Sequence, residues 1–175
     1  MNLRPYQTRA VESIGRCLEE SGSTLLSMPT GCGKTVVFAH AIKEHCKGRA
    51  LVLAHREELI PQNARAIGRV VGEPCDIERA DLHADLPGRV SKARGVVASK
   101  DSLHEKRLAR FDPSEFGMIV TDEAHHAVAE TYGRIYKHFD GVPHLGVTAT
   151  PDRLDEAALG EVYESVAMVY EIADA

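Results

Sequence analysis

The 175-residue sequence has no apolar run near the ~20 residues that a membrane-spanning helix needs. Its opening, MNLRPYQTRA, holds no apolar stretch able to act as a secretory signal. Both absences point to a cytoplasmic chain with no membrane partner. Cysteine is sparse and scattered: Cys17, Cys32, Cys46 and Cys75 contain no CxxC pair, so spacing suggests neither a disulfide framework nor a zinc site. Histidines are more frequent, but His40 and His45 stand five apart, and His125 and His126 are neighbours that would point to different sides of a helix. No structural metal is expected. Repeats of fixed period, low-complexity tracts and Gly/Ser/Pro-rich linkers are also missing. With 43% hydrophobic and 27% charged residues, the composition is that of an ordinary globular chain, and one domain over residues 1–175 is expected.

A net charge of −5 conceals an uneven distribution. Residues 1–110 hold 18 Lys+Arg against 13 Asp+Glu, whereas residues 111–175 hold 3 against 13. The basic part can meet phosphates; the acidic part can bind Mg²⁺ or simply be solvated.

Residues 5–20 predict a helix, with Pro5 at its first position and Ala10, Val11, Ile14, Cys17 and Leu18 on one apolar stripe. Short apolar runs then alternate with helical patterns. Thr24–Met28, Arg49–Ala54, Gly95–Ser99, Gly117–Thr121 and Pro143–Thr148 predict buried parallel strands, and 34–46, 56–70, 100–109, 124–138 and 155–160 predict helices. Such alternation implies an α/β fold: a mostly parallel sheet with helices on both faces. Segment 72–94 has the weakest periodicity and reads as loop plus a short strand near Cys75–Glu78.

Two segments carry chemistry. Met28-Pro29-Thr30-Gly31-Cys32-Gly33-Lys34-Thr35 follows a strand and opens a helix, the setting of a phosphate-binding loop. Gly31 and Gly33 let backbone N–H groups turn onto phosphate oxygens, Lys34 can reach the outer phosphates, and Thr35 can offer its hydroxyl to Mg²⁺. Met28 stands where the generic pattern has glycine. In Met118-Ile119-Val120-Thr121-Asp122-Glu123, an apolar strand ends in two acids. Asp122 is placed to hold Mg²⁺ and Glu123 to orient or deprotonate an attacking water. Taken singly, this pair reads as an acidic helix cap; beside the phosphate-binding loop it reads as the second half of a site.

With these motifs in hand, the chain resembles the first, RecA-like motor domain of superfamily-two DEAD/DEAH-type helicases, in the branch of restriction-enzyme motor subunits and phage or bacterial DEAH helicases. The likeness runs nearly end to end. Leu3–Gln7 resembles the adenine-reading segment, Met28–Thr35 motif I, Leu53–Glu57 motif Ia, Val97–Leu103 motif Ib, Asp122–His125 motif II and Val147–Pro151 motif III. The resemblance implies a P-loop NTPase using ATP and Mg²⁺, with Gln7 at the adenine edge. It implies backbone contacts to nucleic acid, DNA more than RNA, from His55, Arg56, Ser99, Lys100 and Ser102. It implies coupling through His125, Thr148 and Thr150. From the residues alone, Gln7 would be a helix-surface residue, Arg56 a solvated charge, and the two threonines caps at a strand end.

Family members carry a second motor domain with arginine fingers, and nothing after Thr150 resembles its motifs. Residues 161–175 read as a last strand and the start of an interdomain linker. The expectation is therefore half of a helicase or translocase, with little turnover by itself. Two rivals are a nucleotide-gated nucleic-acid-binding module without turnover and a small-molecule phosphotransferase, which leaves Thr148-Ala149-Thr150 unexplained.

Overall fold

The stretch Arg49–Ala54 reads RALVLA and is buried along its whole length. Burial without alternation is what a parallel strand covered on both faces shows. The computed structural model describes residues 3–84, 93–149 and 159–170. Along them run α1 (Pro5–Ser21), β1 (Ser23–Ser27), α2 (Lys34–His45), β2 (Arg49–Ala54), α3 (Leu59–Val71), β3 (Asp76–Glu78), β4 (Gly95–Ser99), α4 (Glu105–Leu108), β5 (Phe116–Asp122), α5 (Glu130–His138), β6 (His144–Thr148) and β7 (Ser165–Val169). The seven strands form one sheet in the order β3-β4-β2-β5-β6-β1-β7, and all these pairs are parallel. The expected parallel α/β architecture is the one observed.

Side chains of each central strand divide between two cores. Ala50 and Val52 of β2 and Met118 and Val120 of β5 join Ile14, Phe38, Ile42, Ile60 and Ile67 under α1, α2 and α3. Leu51, Leu53, Phe116 and Ile119 join Leu108, Tyr132, Ile135 and Phe139 under α4 and α5. Period-two alternation sets which face a strand residue serves. The register shift between Arg49 and Ala50, which pair with Phe116 and Met118, puts those two β5 residues in different cores although they stand two apart. Among the described residues no helix is long and apolar enough to cross a membrane.

Three helix expectations are corrected. α3 begins at Leu59 rather than 56, because Pro61 has no N–H with which to close a helical bond onto Glu57. The chain instead turns there, with Leu59 N–H donating to Arg56 O and Ile60 N–H to Glu57 O. Residues 100–109 form a 3₁₀ turn, Lys100–Ser102, and the short α4, separated where fully buried Leu103 dips into the second core. Residues 124–138 likewise split into a 3₁₀ turn, Ala124–His126, and α5, because the backbone is extended at Ala129. The strand near Cys75–Glu78 is β3. Most of the helix expected at 155–160 and the end of the segment expected at 161–175 lie outside the described residues, which do include β7.

The second core holds a polar cluster. Thr121 Oγ1 lies 2.9 Å from the Tyr136 hydroxyl and 3.0 Å from His144 Nε2. Burial lowers the His144 pKa from 6.5 to about 3, so the folded chain keeps this ring neutral. An unfolded chain takes up the proton near pH 6.5, the folded one only near pH 3. Stability is therefore full above pH 6.5 and falls as pH drops toward 3. Near pH 4.5 the expected loss from this ring is about 3 kcal/mol. Urea unfolding across this range should show the decline, and His144→Gln should flatten it. An unchanged pH profile in the variant would count against the assignment.

Candidate functional site

Parallel strands bring their carboxyl ends to one edge of a sheet. Along that edge, the order β4-β2-β5-β6-β1 sets Ser99–Ser102, then His55 and Arg56, then Asp122 and Glu123, then Thr148, then Met28–Thr35. Because β6 lies between β5 and β1, Thr148 stands between the two acids and the glycine loop. Ser27 pairs with Thr148 in register, and Met28 N–H donates to Thr148 O at 2.9 Å.

In the loop, Gly31 has φ 88° and Gly33 φ 82°, backbone conformations that favour glycine. Gly33 is the residue before α2, so the loop runs directly into the positive end of that helix's dipole. Lys34 Nζ donates to Met28 O at 3.3 Å. The Met28 side chain itself is fully buried, so this residue meets the site through its backbone. Tyr6 OH and Gln7 Nε2 both donate to Cys32 O at 3.1 Å, bracing the loop from α1. Gln7 Oε1 accepts from Arg4 N–H at 2.9 Å. A side-chain amide has two donor hydrogens and two acceptor lone pairs, so each end of Gln7 keeps one bonding position. The Tyr6 ring stacks on Tyr170, with centroids 4.4 Å apart.

Across from this loop, Asp122 is buried, and both its oxygens accept hydrogen bonds: Oδ2 from Asn63 Nδ2 at 3.0 Å and Oδ1 from Glu123 N–H at 3.1 Å. Burial raises the Asp122 pKa above the ordinary carboxylate value, and the Asn63 hydrogen bond works against that rise. Glu123 has φ 55°, in the left-handed region, and its side chain is partly exposed. Thr30, Gly31, Gly33, Lys34, Thr35, Asp122 and Glu123 line one cavity of about 490 Å³. Thr35 and Asp122 offer hard oxygen donors of the kind Mg²⁺ takes, and the glycine turns leave backbone room for phosphates. Among the described residues no group of three or more His, Cys, Asp and Glu is placed to hold a metal. An ion shared with a nucleotide's own phosphates needs no such group.

Histidines connect this cavity to its neighbours. His125 Nδ1 is 3.1 Å from Thr148 Oγ1 and 3.5 Å from Glu123 Oε2. His126 stacks on His55 with centroids 3.8 Å apart, and the His125 and His126 rings are 4.1 Å apart. The expectation that these two point to different sides of a helix is corrected, because a 3₁₀ turn holds them. Burial lowers the pKa of both His55 and His126, which favours the neutral form of the two stacked rings.

The other expected residues fare unevenly. Arg56 is exposed in the turn before α3, but the amides of Leu59 and Ile60 are already bonded within that turn. Ser99 is almost wholly buried, Lys100 Nζ pairs with Asp101 at 2.6 Å, and Ser102 Oγ accepts from Ala80 N–H at 3.2 Å. Thr150 lies outside the described residues.

Residues 1–153 match the family described as the res subunit of type III restriction enzymes. The chain belongs to this family. It is 30% identical over 190 residues to a candidate ATP-dependent helicase, IRC3, of Saccharomyces cerevisiae, covering 94% of this chain and 26% of that one. It is also 30% identical to the DNA 3'-5' translocase XPB2 of Sulfurisphaera tokodaii, covering 89% of this chain and 32% of that one. This res-subunit-family chain thus spans about a quarter to a third of the length of these relatives. Among solved structures, the DNA-bound, nuclease-deleted type ISP restriction-modification enzyme LlaGI superposes with a TM-score of 0.73 at 17% identity, over 98% of this chain and 20% of that one. That likeness shows the fold, a RecA-like one.

Sequence reasoning missed Asn63, Arg65 and Arg69 of α3, all three of which line the cavity. Asn63 had a legible signal, a polar residue within the buried stripe Ile60, Ala64 and Ile67. Gly33 yields a prediction, because a Cβ there would stand 2.6 Å from Gln7 Nε2, whereas a Cβ on Gly31 meets nothing within 4 Å. Both substitutions by alanine carry backbone strain of about 1–2 kcal/mol. Gly33→Ala should cost about 1 kcal/mol more, through the lost Gln7–Cys32 hydrogen bond. Urea unfolding of the two variants measures the difference, and equal losses would rule out the Gln7 brace.

Proposed function

We propose that the chain is the ATP-binding half of an ATP-dependent nucleic-acid motor, a helicase or translocase working on DNA more than RNA, in the cytoplasm. The carrying observation is that Lys34, Thr35, Asp122 and Glu123 line a single cavity. In this reading Gly31–Thr35 wrap the phosphates, with Pro29, Thr30 and the Met28 backbone completing the loop. Gln7 reads the adenine edge with the bonding positions it keeps. Thr35 and Asp122 hold Mg²⁺, which when bound neutralises charge on the outer phosphates. Glu123, beside His125, holds the attacking water and accepts its proton.

Coupling runs from Glu123 through His125 to Thr148, and Thr150 belongs to the same motif. His55, Arg56 and Lys100 meet the nucleic-acid backbone, with Ser99 and Ser102 supporting their turns. Such contacts read phosphate rather than sequence. The relatives' greater length supports a second motor domain as partner, supplying the arginine that charge developing in the transition state requires. That residue is worth about 10³–10⁵ in rate in related phosphoryl-transfer systems.

Calorimetric titration should show Mg-ADP and Mg-ATP binding that Lys34→Ala removes and Glu123→Gln retains, and Gln7→Ala should narrow the preference for ATP over GTP. Phosphate release from the 175-residue chain should stay near background with or without DNA. Unchanged nucleotide affinity in Lys34→Ala would overturn the loop assignment. Rapid turnover by the chain alone would overturn the need for an outside arginine.

A further inference from the structure

Asn63 is the one polar side chain among the buried residues of α3, and it is 1% exposed. A polar group removed from water costs free energy unless hydrogen-bonded, so its place on this apolar face has to be justified by its partner. That partner is Asp122 Oδ2, 3.0 Å from Asn63 Nδ2. The other Asp122 oxygen accepts from the Glu123 amide at 3.1 Å. The carboxylate plane is thus fixed by one donor from its own loop and one from a separate helix.

The chemistry of the donor matters. A lysine or arginine at position 63 would form an ion pair with Asp122 and compete with any cation for it. An acid would repel it, and an aliphatic side chain would leave its oxygen buried and unpaired. A neutral amide orients the carboxylate, leaves its charge intact, and leaves lone pairs on each oxygen for a further partner. Groups that orient a metal-binding carboxylate in this way commonly change metal affinity by about 10–100-fold when removed.

We infer that Asn63 is a positioning residue that fixes the Asp122 carboxylate for a nucleotide-bound divalent cation, and so sets the Mg²⁺ requirement of nucleotide binding. The inference rests on the proposed role of Asp122 as the Mg²⁺ ligand. It is distinct from the phosphate loop, because Asn63 acts only through the carboxylate.

The test uses the 175-residue chain and a fluorescent N-methylanthraniloyl ADP, titrated with MgCl₂ and, separately, in EDTA. Asn63→Leu, similar in size and without the donor, should raise the Mg²⁺ concentration for half-maximal binding by about tenfold or more. Affinity in EDTA should stay at the parent value, a split that general loosening of α3 would not produce. Asp122→Asn serves as the companion. If it leaves the Mg²⁺ dependence unchanged, the reading of Asp122 fails and this inference falls with it. If Asp122→Asn shifts the dependence and Asn63→Leu does not, the inference about Asn63 alone is overturned. Equal losses with Mg²⁺ and in EDTA would overturn it too. Should Asn63→Leu not fold, Asn63→Ser takes its place, its shorter side chain placing a hydroxyl out of reach of the same geometry. A raised Mg²⁺ requirement in that variant supports the inference, and an unchanged one overturns it.

Discussion

Parallel strand direction is the constraint on which the rest of this chain depends. A parallel pair cannot be closed by a tight turn, so each strand must be carried back across the sheet before the next one begins. Those crossovers place helices over both faces, which is why β2 and β4 are buried from end to end. The same constraint sends every strand's carboxyl end to one edge, where segments 28–35, 55–58, 99–102 and 122–126 all emerge. Residues far apart in sequence then need no special recruitment to meet. The order β4-β2-β5-β6-β1 arranges them, with the acids between the proposed nucleic-acid turns and the glycine loop.

Period-two alternation decides what each polar residue near that edge can do. On β5, Met118 and Val120 face the core under α1–α3, so Asp122 continues that face and meets Asn63. Thr121 faces the other way and meets Tyr136 and His144. On β6, Leu145 and Val147 join the first core, leaving Gly146 to lie against Tyr163 and Thr148 to meet His125. Two polar networks therefore lie back to back on adjoining strands without mixing. Buried Thr121 bonds with His144 and buried Asp122 with Asn63, which lowers the desolvation cost of these polar groups.

The parallel sheet was legible because buried parallel strands write themselves as unbroken apolar runs, and all five central runs became strands. The glycine loop and the acid pair were legible because they sit where strands end. Less legible were features fixed by tertiary packing. Leu103 interrupts a helical pattern because a core cavity takes its side chain, and nothing local in residues 100–109 announces that. Pro61 did mark the late start of α3, but helical periodicity around it hid the signal. The adjacency of His125 and His126 depends on a 3₁₀ turn whose geometry their sequence does not dictate. Asn63 interrupts an apolar stripe, and the Asp122 carboxylate that explains it lies on a distant strand, out of reach of local sequence.

Glu123 shows where local preference yields. Its φ of 55° lies in a region that costs a side-chain-bearing residue about 1–2 kcal/mol, and glycine would be the relaxed choice. The turn is held by contacts on both sides of the residue: its amide donates to the Asp122 carboxylate, and its carboxylate lies 3.5 Å from His125 Nδ1. Successive residues of an extended strand would point to opposite faces and put the second acid into the α5 core. Leaving the strand through the left-handed region instead lets both acids line the same cavity. Glycine would relax the backbone and delete the carboxylate in one step, so at this position strain and chemistry cannot be separated.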